Sequence, residues 1–470
     1  MAMLRVFTFL ALFLVPTRGD PFCHGNDNEE IPFKYIGEET AKTGTMDVHG
    51  VEENFRELFE AYSENYQAVI QTSADSGLRD DDEYGISFNC QPSVSPEKPT
   101  SVHRLRPGDI DVVAAIGDSL STAYAAEAPI FLPVMLNYWG VSASIGGNGD
   151  INSVGTVANI LRQYNPDIFG FSTGSGVVFT QPKVKNFNHA VVGATADDMP
   201  KQARRLIDDL KADSRVDMEN DWKFITLFIG GNDLCSGCNR ENSKPAAFLG
   251  FIQEALQMFH DEVPRTFVNL VGVMNAYVLP ELGGSLTCNL VHRIVCKCLS
   301  QDGGDEEVYQ RTKEYQKMVK EFIESGYFDN KEDFTVAYQP FFHETTLPRK
   351  PDGKPDASYF APDCFHFSQK GQTAQAVANW NSLFEPVGSK RLEWVPGEEL
   401  QCPSEDFPYI YTNTNSQAHI AGSDQEMPSH QETAGHIPLS DKSGFTSQTL
   451  IIVGAVSGVL VSIVVIAIFS

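Results

Sequence analysis

From Asp111 the chain reads Asp-Val-Val-Ala-Ala-Ile116, five consecutive apolar residues after the aspartate, and then breaks into Gly117-Asp118-Ser119. A short apolar run with β-branched valines and no polar alternation has the composition of a strand buried on both faces of a parallel sheet. Glycine permits the tight backbone path that ends such a strand, and an aspartate in the turn bonds its own backbone. Ala123-Tyr-Ala-Ala-Glu127 follows and is helix-compatible, so the sequence predicts a strand, a turn bearing Ser119 and then a helix. Open α/β sheets carry their chemistry at the carboxyl ends of strands, where backbone N–H groups can stabilise an oxyanion. The bland role for such a serine is a helix cap, and the four residues Gly-Asp-Ser-Leu do not decide between the two.

The stretches that follow alternate. Strand-like runs are Ile168–Ser172, Lys223–Ile229, Thr266–Met274 and Phe334–Gln339, separated by amphipathic runs at Ser153–Gln163, Met199–Lys211, Lys244–Glu262, Asp305–Ser325 and Ser368–Phe384. Strands separated by helices predict a mainly parallel sheet with helices on both faces. There is no internal repeat, so the pattern describes one unit.

A serine hydroxyl attacks an ester only with a base beside it and an orienter behind the base. Two later segments offer partners. Asp363-Cys-Phe-His366 sits in a loop between the last strand and the helix beginning near Ser368, where the carboxylate can reach Nδ1 while Nε2 faces the serine. Gly230-Gly231-Asn232-Asp233 follows another strand end and makes Asp233 the rival orienter, although holding its own loop through backbone hydrogen bonds is the preferred role for it. Gly170-Phe-Ser172-Thr-Gly174 matches a Gly-x-Ser-x-Gly elbow, but no helix follows, so Ser172 is only a runner-up nucleophile.

Ala115-Ile-Gly-Asp-Ser-Leu120, Phe228-Ile-Gly-Gly-Asn-Asp-Leu-Cys235, Pro340-Phe-Phe342 and Ala361-Pro-Asp-Cys-Phe-His-Phe-Ser368 occur in order. On these motifs residues 99–403 resemble the GDSL, or SGNH, hydrolase superfamily, and within it a single repeat of the membrane-associated phospholipase B family. The resemblance implies an α/β fold, a three-layer α/β/α sandwich of flavodoxin-like type. It also implies a triad of Ser119, His366 and Asp363, with an oxyanion hole from the Ser119 N–H, the Gly193 N–H and the Asn232 amide. The loop Gly146-Gly-Asn-Gly149 competes with Gly193 for the glycine role.

Outside the core the composition changes. Residues 1–19 read as a cleaved secretory signal, with Arg5 ahead of the apolar Val6–Val15. Residues 20–107 form a polar N-terminal extension with one helical stretch, Val51–Ser73, and a proline-marked linker into the catalytic domain at 108–403. Residues 404–448 are rich in Ser, Thr, Asn, Gln, His and Pro and read as a flexible stalk. Residues 449–470 are almost wholly apolar, long enough to span a bilayer, and lack a basic residue beyond Lys442. That pattern favours a GPI signal slightly over a spanning helix, and one of the two is expected.

A net charge of −27 excludes nucleic acid and an anionic membrane surface as electrostatic partners. Nine cysteines in a secreted chain predict disulfides. Cys235, Cys238 and at least two of Cys288, Cys296, Cys298 and Cys364 are expected to be oxidised rather than to hold zinc, and no metal or cofactor is expected. The resemblance implies removal of fatty acyl chains from glycerophospholipids and lysophospholipids through an acyl-enzyme. Other lipid or sugar esters, or an inactive surface-binding protein on the same scaffold, are the alternatives. Oligomeric state cannot be read from the chain.

Overall fold

The computed structural model describes residues 84–422 apart from 92–93, 129–135, 178–182, 284–285 and 345. The elements in chain order are β1 (Ile110–Gly117), β2 (Leu136–Asn137), α1 (Val157–Tyr164), β3 (Gly176–Val177), α2 (Met199–Ala212), β4 (Trp222–Phe228), α3 (Gly231–Ser236), α4 (Pro245–Glu262), β5 (Thr266–Val271), α5 (Leu286–Val295), α6 (Gly304–Glu324), β6 (Phe334–Gln339), α7 (Gln369–Leu383) and α8 (Asn413–Gly422). The main sheet runs β1-β4-β5-β6 with every pair parallel, and β2 pairs β3 antiparallel.

Alternation along the strands separates two cores. Val112, Ala114 and Ile116 face one layer with α2, α4 and α6, while Val113 and Ala115 face the other with α1 and α7. All seven residues of β4 and all six of β5 and β6 are buried, which is why their sequences read as continuous runs. The result is the expected three-layer α/β/α sandwich.

The strand predicted at Ile168–Ser172 is not a regular element. Phe169 exchanges two hydrogen bonds with β1, from Phe169 N to Asp111 O (3.0 Å) and from Val113 N to Phe169 O (2.9 Å). The chain then turns at Gly170, where a Cβ would meet Val113 O at 2.3 Å, and Ser172 pairs with Gly146 instead. Residues 187–191 take over beside β1, so β1 is flanked on both sides up to its carboxyl end.

Ser119 is followed by turns, not by the helix its sequence suggests. The backbone there is claimed by β2: Ala125 N donates to Leu136 O (2.8 Å) and Tyr138 N to Ala123 O (3.2 Å), and Ala123 and Ala125 take left-handed φ values of 51° and 60°.

Two expected boundaries also move. Ile86, Cys90, Val102 and Leu105 belong to the α1/α7 core and Cys90 is bonded to Cys402, so the fold already includes residues from Tyr84 onward. Residues 404–422 are folded rather than stalk-like: Ile410 is fully buried and α8 follows. The polar composition was misleading because its polar groups are bonded inward. Asn415 Nδ2 donates to His103 O (3.0 Å) and Ile410 O (2.9 Å), and Asn413 Nδ2 to Ile323 O (3.0 Å). The leader at 1–19, the helix at 51–73, the remainder of the stalk and the apolar run at 449–470 lie outside the described residues. Among the described residues no helix is long and apolar enough to cross a membrane.

Candidate active site

Ser119, Asp363 and His366 come from loops that follow β1 and precede α7, and they meet although 247 positions separate the serine from the histidine. His366 Nε2 is 2.8 Å from Ser119 Oγ, and His366 Nδ1 is 2.6 Å from Asp363 Oδ2. The other carboxylate oxygen, Oδ1, accepts the backbone N–H groups of Phe365 and His366, each at 3.0 Å. All three residues are buried. Asp363 is held below the usual carboxylate range: burial opposes ionisation, but His366 and the backbone donors outweigh it. An ionised Asp363 fixes the proton on Nδ1, which leaves Nε2 as an acceptor facing the serine.

The histidine loop is anchored from several directions. Phe367 is fully buried among Phe342, Phe360 and Trp394. Tyr124 packs edge-on to the imidazole with centroids 4.7 Å apart, placed there by the left-handed alanines on either side of it. Cys364 forms a disulfide with Cys288 on α5, and from the same helix His292 Nε2 bonds Cys364 O at 2.6 Å. Tyr124 and His292 carry no signal in the sequence that would have marked them. The Cys288→Ser/Cys364→Ser pair is expected to lower kcat about tenfold or more by loosening the loop between Asp363 and His366. Opening this 76-residue loop is also expected to cost about 4 kcal/mol of stability in the chain-entropy view, read by urea unfolding beside the wild type.

The three oxyanion candidates converge on the same strand ends. Val191 N donates to Gly117 O (3.1 Å), which carries the segment bearing Gly193 along β1, and Gly193 takes a φ of 78°. Asn232 is the second residue of α3, just after β4, and one of its amide hydrogens donates to Ala194 O at 2.9 Å. Among the described residues the N–H groups of Ser119 and Gly193 have no acceptor, and the second Asn232 amide hydrogen is likewise unengaged. Gly146 and Gly147 differ: their N–H groups donate to Ser142 O and Ser172 O, each at 2.8 Å, so that loop is engaged in its own architecture.

Asp233 points elsewhere. Its fully buried carboxylate accepts from Ala196 N (3.0 Å) and Ser243 Oγ (3.3 Å), bracing the segment behind Gly193 rather than meeting His366. Burial pushes it up to about 7, and burial pushes Asp118, whose Oδ1 accepts from Leu120 N at 2.9 Å, up to about 6. For Asp233 the folded protein holds the proton more tightly than the unfolded chain, whose value is 3.8, so its contribution to stability is present below about 4 and is lost as pH rises through 7. Urea unfolding of wild type and Asp233→Asn from pH 4 to 8 is expected to show the wild type losing ground to the variant by roughly 1 kcal/mol per pH unit within that window, then no further.

Ser172 Oγ is fully buried and donates to Trp139 O at 2.8 Å, with no histidine bonded to it. The short-spaced cysteines pair crosswise, Cys235 with Cys296 and Cys238 with Cys298, so the thiols considered for zinc are oxidised. Among the described residues no group of three or more His, Cys, Asp or Glu is placed to hold a metal ion.

Residues 113–378 match the family model described as GDSL-like Lipase/Acylhydrolase. The chain is 40% identical over 392 residues to "Phospholipase B1, membrane-associated" of Mus musculus, covering 80% of this chain and 26% of that protein. The protein of the same name from Homo sapiens is 42% identical over 374 residues, 76% of this chain and 25% of its own length. The chain thus spans about a quarter of the length of the curated relatives it matches.

Proposed function

The chain belongs to the family of GDSL-like lipases and acylhydrolases, and from that membership we propose that it hydrolyses the acyl esters of glycerophospholipids and lysophospholipids. The observation that carries the reading is the hydrogen-bonded series Ser119 Oγ, His366 Nε2, His366 Nδ1 and Asp363 Oδ2, buried at the carboxyl end of β1. The substrate class rests on the names of the relatives, phospholipase B1.

In the proposed reaction Ser119 Oγ bonds to the acyl carbonyl carbon while His366 Nε2 takes its proton. The carbonyl oxygen becomes an oxyanion within reach of the Ser119 N–H, the Gly193 N–H and the Asn232 amide. Collapse breaks the ester bond, and the glyceryl oxygen leaves with the proton returned from His366. Water, deprotonated by the same nitrogen, then releases the fatty acid and restores the serine. No metal or cofactor takes part in this scheme.

Four disulfides among the described residues support passage through an oxidising compartment. With the leader-like residues 1–19 and the apolar residues 449–470 we read a cell-surface enzyme held at its C-terminal side, by a GPI anchor or a spanning helix. Treating intact cells with phosphatidylinositol-specific phospholipase C separates the two, since only the lipid-anchored form is released. The function itself is tested by fatty-acid release from phosphatidylcholine, lysophosphatidylcholine, retinyl ester and acetylated sugar by the purified protein. No release from the two phospholipids sinks the proposal.

A further inference from the structure

At the last residue of β1 the flanking segment at 187–191 still bonds the carbonyl, through Val191 N, but offers no acceptor to Gly117 N. A buried backbone N–H at such a point must find an acceptor. Gln202, in the first turn of α2 and itself buried, supplies it. Gly117 N donates to Gln202 Oε1 at 2.9 Å and Gln202 Nε2 donates back to Gly117 O at 2.9 Å. A primary amide has the same donor–acceptor pair as a peptide group, so this side chain completes the ladder as a missing strand would. Gly117 is tightly enclosed as well: a Cβ there would meet Phe228 O at 2.3 Å and Ser121 Oγ at 2.7 Å.

Gly117 O receives two donors, Gln202 Nε2 and Val191 N. One peptide group is therefore tied forward to the Asp118-Ser119 turn, sideways to the segment carrying Gly193, and through Gln202 to α2. The segment leading into α2 is fixed to the third donor's element, since Ala196 N bonds Asp233 beside Asn232, and Asn232 bonds Ala194 O. We propose that Gln202 is a positioning residue that sets the Ser119 N–H and the Gly193 N–H at their mutual spacing as oxyanion donors. It touches no substrate, and it acts through the Gly117 peptide. The inference rests on Ser119 being the nucleophile of the proposed reaction.

The test uses Gln202→Met, which keeps size and removes both hydrogen bonds, and Gln202→Glu, which keeps the acceptor for Gly117 N but turns a second acceptor on Gly117 O when ionised. Turnover is measured per active site titrated with a fluorophosphonate, so that misfolded enzyme is not counted. For Gln202→Met, kcat per titrated site is expected to fall about 10–100-fold with KM changed by less than about twofold, the signature of misplaced transition-state donors. For Gln202→Glu the ratio of its kcat to that of the wild type is expected to rise as pH falls from 8 to 5, because a protonated carboxyl again offers one donor and one acceptor. Unchanged kcat per titrated site with only a lower Tm assigns Gln202 to stability alone and overturns the proposal, as does a rise in KM at constant kcat. If Gln202→Met does not fold, a flat pH ratio for Gln202→Glu overturns it. Failure of the wild type to label at Ser119 sinks the underlying reaction instead, and is seen in the same experiment.

Discussion

Replacing Ser119 with alanine is expected to lower kcat for phospholipid hydrolysis on the order of 10⁵–10⁶ and to abolish fluorophosphonate labelling. Its hydroxyl is the one bonded to His366 Nε2, at 2.8 Å, and without it the proposed acyl-enzyme cannot form. What remains after the substitution is the proposed oxyanion donors and substrate binding, which sustain only a small residual rate over water. Ser172→Ala is the control. That hydroxyl is fully buried and donates to Trp139 O, so the variant is expected to keep both labelling and turnover per folded molecule. A labelled peptide containing Ser172, or turnover retained by Ser119→Ala, overturns the nucleophile assignment.

How much of this was legible follows from where the information lies. The strands were readable because burial on both faces leaves a continuous apolar run, and Phe334–Gln339 was located to the residue. Helix placement was good where an amphipathic face packs on the sheet, as in α2 and α4. Readings failed where tertiary pairing overrode local preference. Ala123-Tyr-Ala-Ala-Glu127 has helical propensity, but β2 takes its backbone bonds and forces two alanines to positive φ. The segment at 404–422 looked like a stalk because its polarity hides how its asparagines bond backbone carbonyls over 300 residues away in sequence or in α6. At the site, Asp363 and His366 were legible since both sit in one four-residue loop. His292, Tyr124 and Gln202 were not, because each is joined to these loops by a long-range contact that no spacing rule marks, while Cys288 stood among the cysteines expected to be oxidised with its partner left open. The crosswise pairing of Cys235 with Cys296 and Cys238 with Cys298 was equally invisible, since several connectivities share the same spacings.

Asp363→Asn is expected to lower kcat by about 10⁴ while Asp233→Asn lowers it by less than about tenfold. The geometry gives the reason. Asp363 Oδ1 accepts two backbone N–H groups, so an asparagine at this position keeps its carbonyl oxygen there; turned over, its NH₂ would face two donors. Its NH₂ must then point at His366 Nδ1, which can meet it only as an acceptor. The imidazole proton is moved to Nε2, and the nitrogen facing Ser119 becomes a donor that cannot take the hydroxyl proton. Asp233 allows the opposite outcome. An asparagine there accepts from Ala196 N with its oxygen and donates to Ser243 Oγ, a hydroxyl able to reverse its role, so the brace behind Gly193 persists. The two variants are to be compared for kcat, KM and Tm on lysophosphatidylcholine at a pH well above 7, past the range in which the wild-type Asp233 gives up its proton. Correctly folded variants whose catalytic losses fall in the reverse order would show that Asp233, not Asp363, orients the histidine.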